Sequence, residues 1–250
     1  MKSTPFKELA AVLEKLERTH SSTAMIDILA RFLTALSAQE VKMTAYLLTG
    51  RVGPSFSAPE FGIAQVLAAR AVADACGVSA AKIRKMLIKL GDLGAVAALL
   101  VSRRGARLSI ARVFENLQRI AYVKGPCAQK DKIDALVGLL RQASSVEAKY
   151  IIRTVVGLHR IGVAEMTFLQ GVAKGFAGRK EDKIVLEHAY NVLSDLGEVA
   201  YRVARKGVAS LKRVKPLPGV PVRMMLSARV ADLDEVPFHL KGDFFRRVQI

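Results

Sequence analysis

Tryptophan is absent from this 250-residue sequence, aromatic residues make up only 6%, and cysteine occurs twice. Without large rings, the core must be built from aliphatic side chains. Abundant Ala and Leu interleaved with Lys, Arg and Glu favour helices over strands. Cys76 and Cys127 make no disulfide framework and show no Cys-x-x-Cys pattern. The histidines, His20, His159, His188 and His239, lack metal-ligand spacing, so no metal site is expected. No glycine-rich loop leads into Lys-Ser or Lys-Thr, which excludes a P-loop nucleotide site. The longest apolar run, residues 94–101, is far too short to cross a bilayer, and the charges at Lys2, Lys7 and Glu8 do not suit a signal peptide. The expectation is a monomeric protein without membrane contact, cytoplasmic and nucleoid-associated, or nuclear in a eukaryote.

Acidic residues are also in short supply. Lys and Arg number 39 against 22 Asp and Glu, a formal net charge of +17. A field of that sign and size attracts polyanions, meaning nucleic acid or an acidic membrane surface.

Apolar spacing predicts helices over residues 6–16, 38–48, 62–75, 79–90, 94–102, 109–121, 130–143, 145–156, 163–176, 180–193 and 196–206. A further helix, capped within Ser21-Ser22-Thr23, runs to residue 35. Residues 49–61, rich in Gly, Pro and Ser, read as a loop. Residues 212–221 hold three prolines and a glycine and read as a linker, after which residues 220–226 suit a strand.

The chain also echoes itself. Gly91-Asp92-Leu93-Gly94-Ala95-Val96-Ala97 returns as Ser194-Asp195-Leu196-Gly197-Glu198-Val199-Ala200, and Phe61-Gly62-Ile63-Ala64 as Ile161-Gly162-Val163-Ala164. Each longer copy ends in a basic turn, Arg103-Arg104 in one and Arg205-Lys206 in the other. Two copies imply a duplicated helical unit with a pseudo-two-fold axis, not a solenoid, which needs more and shorter repeats. Such a unit can offer equivalent loops to both strands of a duplex. Asp92 and Asp195 are expected to cap helix starts.

Three basic clusters stand out. Lys82, Arg84, Lys85 and Lys89 share one helix and read best as a solvated face. Lys124, Lys130 and Lys132 surround Gly125-Pro126, and His159-Arg160 precede Ile161-Gly162. Glycine lets backbone approach a phosphate closely, so these last two clusters are candidate DNA contacts.

Several strings then fall in a familiar order: Phe6-x-x-Leu9, Gly62-Ile63, Gly91-Asp92-Leu93-Gly94, Lys130-x-Lys132-Ile133, Glu147-Ala148-Lys149-Tyr150-Ile151-Ile152-Arg153, Gly157-Leu158-His159-Arg160-Ile161-Gly162 and Pro218-Gly219-x-Pro221-Val222-Arg223-x-Met225-Leu226. Together they resemble the N-terminal DNA-binding domain of ATP-dependent DNA ligases of the archaeal and eukaryotic replicative type. The resemblance implies an all-α, multi-helix domain with an internal pseudo-two-fold repeat over residues 1–211. Residues 212–250 would be a linker and the truncated beginning of a nucleotidyltransferase (adenylation) domain.

It implies sequence-independent binding of double-stranded or nicked DNA along the minor groove and phosphate backbone, in replication, repair and recombination. Arg160, Gly162, Gln129 and Lys130 would face phosphate, with Lys132, Gly125 and the basic turns Arg103, Arg104, Arg205 and Lys206 as further contacts. Arg153 is open between a DNA contact and a salt bridge. The sequence has Leu158 where the family often has a second basic residue, and Ala128 where it often has Ser. Both departures remove a phosphate contact.

Ligase chemistry needs an adenylated lysine within Lys-x-Asp-Gly. Here Lys241-Gly242-Asp243 is followed by Phe244, so Lys241 is at most a remnant nucleophile and no catalytic residue is expected. ATP and Mg²⁺ would belong to a catalytic domain missing from this chain. The leading reading is a binding module. The alternatives are one chain of a split ligase served by a separate nucleotidyltransferase chain, and a basic helical scaffold for protein partners.

Overall fold

A computed structural model describes residues 3–101, 108–157, 163–177 and 180–223. The described residues form α1 (Phe6–Glu17), α2 (Ser22–Leu33), α3 (Ala38–Leu48), α4 (Gln65–Cys76), α5 (Ala80–Leu90), α6 (Leu93–Leu100), α7 (Ile110–Tyr122), α8 (Ala128–Leu140), α9 (Ser145–Val155), α10 (Glu165–Phe176), α11 (Lys180–Leu193) and α12 (Leu196–Lys206), closed by a short 3-10 helix, Val208–Leu211. The all-α expectation holds. The strand expected over residues 220–226 does not form where it is described: residues 221–223 run without sheet partners, and the remainder lies outside the described residues.

Local chemistry sets most of the boundaries. Ser21, Ser79 and Ser109 accept a hydrogen bond from the backbone N–H three residues on. Ser37 with Glu40 and Ser144 with Glu147 form capping boxes, satisfying backbone donors reciprocally. Asp92 and Asp195 cap α6 and α12, accepting from Gly94 and Glu198 at 2.8 and 2.9 Å. α5 stops where Gly91 turns left-handed at φ 67°.

The repeat is visible as interlocked packing. α1 to α6 and α7 to α12 are the two copies, and the second and third helices of each pack on the last three of the other, while α1 and α7 meet at the middle. α3 lies on α12 and α9 on α6, while α2 lies on α10 and α8 on α4. At the middle the copies exchange backbone hydrogen bonds. Phe6 N–H donates to Leu108 C=O at 2.8 Å, and Ile110 N–H donates to Thr4 C=O at 2.9 Å. Such a reciprocal pair is what a two-fold relation between α1 and α7 produces.

α3 and α9 are buried almost all round, with Val41, Ala45, Ala148, Tyr150, Ile151 and Ile152 fully enclosed. Close approach to them depends on glycine. A Cβ on Gly94 would lie 2.7 Å from the Lys149 carbonyl oxygen, and one on Gly197 2.5 Å from the Tyr46 ring. Gly138, inside α8, has open space instead. Gly94→Ala is therefore expected to lower the unfolding free energy by about 1–3 kcal/mol, through forced separation of α6 and α9. Gly138→Ala should raise it by about 0.5–1 kcal/mol, through the better helix propensity of Ala. Urea denaturation of the two variants beside the parent chain checks both signs.

Candidate nucleic-acid interface

The turn before α8 carries the first glycine-flanked cluster. Gly125 takes φ 110°, which only glycine adopts readily, and Ala128 N–H closes the turn on the Gly125 carbonyl at 3.1 Å. Cys127 sits at the N-cap of α8 and makes no side-chain cap. Lys124, Gly125, Gln129 and Lys130 are exposed beside this uncapped start. Free backbone N–H groups at a helix start, with lysines around them, suit an anionic oxygen.

Lys132 plays a different part. Its side chain is half-buried, and its Nζ donates to the Phe61 carbonyl at 2.7 Å. That bond ties α8 to the turn Phe61-Gly62-Ile63-Ala64, where Gly62 has φ 63°. The turn opens α4, whose N-cap Ala64 also lacks a side-chain cap. A cleft of about 560 Å³ runs from this turn to the end of α9, lined by Arg51, Gly62, Ala64, Thr154 and Gly157 among others. The start of α4 and the end of α9 thus face one another across this cleft, and Lys132 ties α8 to its Phe61 wall. Arg160 and Gly162, in that turn, lie outside the described residues, as do Arg103, Arg104 and Lys241.

The remaining sequence-predicted residues separate. Arg205 and Lys206 are exposed in the last turn of α12, and Arg205 donates to the Tyr201 hydroxyl at 2.8 Å. Cations there complement the helix dipole; neither residue lines the cleft, nor do Gly125, Gln129 and Lys130, which Lys132 joins to it through α8. Lys82, Arg84, Lys85 and Lys89 are exposed along α5, which buries only Ile83. Arg51, exposed and on the cleft wall, was missed. Its signal is present in the sequence as Gly50-Arg51-Val52-Gly53, a basic residue between glycines directly after α3. This loop is the counterpart of the Arg160 turn after α9.

For Arg153 the structure takes the salt-bridge alternative and corrects the DNA-contact one. Its residue exposure is 6%, and a guanidinium that deep cannot reach a groove. It binds Asp92 through Nε at 2.9 Å and also through Nη2, while Nη1 lies 2.9 Å from Glu17. Lys149 and the Tyr150 hydroxyl donate to the same Glu17 oxygen, each at 2.9 Å. Burial alone would raise the Glu17 carboxyl. The hydrogen bonds from Arg153, Lys149 and Tyr150 outweigh it and hold the group at about 2, below an ordinary 4.5. Asp92 is also held low: burial opposes this, and the Arg153 hydrogen bond overrides it. Among the described residues, no group of three His, Cys, Asp or Glu side chains could hold a metal ion, and no helix is long and apolar enough to cross a membrane.

Comparison with known families decides the affiliation. The family model described as the DNA ligase N terminus matches residues 5–173. The chain belongs to this ligase N-terminal family. It is 37% identical over 237 residues to DNA ligase 1 of Methanosarcina mazei and 36% over 251 to DNA ligase 2 of Thermofilum pendens. It is 35% identical over 250 residues to the DNA ligase of Aeropyrum pernix. These matches cover 95%, 95% and 93% of the chain but only 41%, 42% and 42% of the relatives, so the chain spans about two fifths of their length.

The depressed Glu17 sets an acid limit within this ligase-type domain. A carboxyl lowered in the folded state stabilises fully above its unfolded value, and that stabilisation is lost as pH falls toward the folded one. The stability gap between the parent chain and Glu17→Gln should therefore be widest above about pH 5 and close as pH approaches about 2. Urea melts across that range check it; a gap independent of pH would contradict the cluster.

Proposed function

We propose that this chain binds duplex DNA without sequence preference, as the DNA-binding part of an ATP-dependent DNA ligase acting in replication, repair and recombination. The observation that carries the reading is a cleft lined by the uncapped start of α4, the left-handed Gly50, Gly62 and Gly157 and the exposed Arg51, to whose Phe61 wall Lys132 ties the second uncapped start, that of α8, in a chain of net charge +17 that belongs to the ligase N-terminal family. Backbone N–H groups and lysines read phosphate, and phosphate is the same in every sequence. Gln129, Lys130, Arg160 and Gly162 are the proposed backbone contacts, along the minor groove, where base readout is degenerate.

Lys132 is assigned a supporting role, since its Nζ is engaged by the Phe61 carbonyl. Nicked duplex is the natural target of a ligase module. ATP, Mg²⁺ and the adenylated lysine are assigned to the part of the relatives' length that this chain does not span. Whether that part is supplied in one polypeptide or by a separate nucleotidyltransferase chain, the role proposed for these residues is the same.

Fluorescence anisotropy with nicked duplex, intact duplex and single strand over a salt series tests the proposal. Binding to both duplexes should fall steeply with salt and change little with base sequence. Arg160→Ala and Lys130→Ala should each weaken binding about equally for all sequences and reduce the salt slope by roughly one unit. An unchanged slope removes that residue from the contacts, and no duplex binding at low salt overturns the proposal.

A further inference from the structure

The linker does not leave the helical body freely. Just past its far end Arg223 folds back on the start of α10, where its Nη1 lies 2.9 Å from the Glu165 carboxylate and also meets the Tyr190 hydroxyl. The guanidinium stands over the Tyr190 ring, 4.5 Å from its centre, and the Arg223 backbone N–H donates to the Asn191 carbonyl at 2.8 Å. Two residues back, the Pro221 carbonyl accepts from the Ser194 hydroxyl at 2.5 Å.

Ser194 marks this as a feature of the second half alone. Its counterpart in the first half is Gly91, at φ 67°, where glycine carries no steric cost. Ser194 holds φ 50° as the one left-handed residue other than glycine among the described residues. The second half keeps a strained side chain at this corner, and that side chain grips the linker.

Glu165 gives the grip a consequence. It is the first residue of α10, three positions after Gly162, and α10 too has no side-chain cap. Glu165 and Arg223 also line a hollow shared with Arg51, the exposed cation on the wall of the candidate cleft, so a bare carboxylate there weakens the field that draws phosphate to Arg51. Resting on the DNA-binding reading above, we infer that Arg223 is a linker clip that masks Glu165, so that linker docking and duplex binding favour one another. The coupling is reciprocal: whatever the docked linker adds to DNA affinity, bound DNA returns to linker docking.

The test compares the parent chain, Arg223→Gln, Glu165→Gln and the double variant, by anisotropy with a labelled duplex at low salt. Arg223→Gln should weaken binding about threefold to tenfold, by exposing the carboxylate beside Arg51. The double variant should return to within about twofold of the parent, since no charge is then left to mask. Arg223→Gln binding like the parent, or the double variant binding as weakly as Arg223→Gln alone, would overturn the inference. Failure of the parent chain to bind duplex would overturn the DNA-binding reading itself, and the coupling with it.

Hydrogen exchange gives a second readout. The Arg223 amide should be protected, and more so with duplex added. Ser194→Gly, which relieves the backbone while deleting the hydroxyl, should expose that amide without lowering global stability. An Arg223 amide that exchanges freely in the parent chain rules out the clip.

Discussion

Asp92 and Asp195 each close a helix start and, with the same carboxylate, hold a side chain from the opposite half of the molecule. Asp92 accepts from Gly94 N–H and from Arg153 on α9; Asp195 accepts from Glu198 N–H and from the Tyr46 hydroxyl on α3, the latter at 2.7 Å. The glycine two residues on lets each capped helix sit directly on its partner. Cap, close approach and cross-half bond therefore stand or fall together at both ends of the pseudo-dyad. Tyr46 and Arg153 occupy equivalent places in α3 and α9, counted from their capping boxes. One half holds its acid with a neutral phenol, and the other with a guanidinium that needs the second carboxylate of Glu17 to balance it.

This arrangement also shapes the outer field. Glu17, Glu40, Asp92, Glu147, Asp195 and Glu198 are engaged by caps and ion pairs within the body. The cations drawn inward with them are few, chiefly Lys42, Lys149 and Arg153. Much of the negative charge is thus held at short range by partners, and lysines and arginines dominate what a distant polyanion meets.

The helices were legible because their signals are local. Ser, Asp and Gly at the ends and apolar residues at helical spacing fix most boundaries to within a few residues, and α3, α11 and α12 are reproduced to the residue. The duplication was legible from Asp-Leu-Gly-x-Val-Ala, but the interlocking was not. Which copy of α3 lies on which copy of α12 is a long-range choice that no local string records. The same limit governed the site. Lys132 and Lys130 look alike in sequence, and only the Phe61 carbonyl, far away in the chain, distinguishes the tied lysine from the exposed one. Arg153 had two open readings because its partners, Asp92 and Glu17, are remote in the chain. Arg51 was overlooked because its meaning rests on symmetry with the turn after α9.

The interlocked halves constrain how the protein comes into being. Synthesis makes α2 and α3 well before α10 and α12, the helices that cover them. The early helices must wait with their apolar faces uncovered until nearly the whole body has been synthesised, a topology that favours slow, late and concerted folding. It also suggests a history. Two identical six-helix chains could have exchanged their first three helices as a swapped dimer, and joining α6 to α7 would have made that embrace permanent in a single polypeptide.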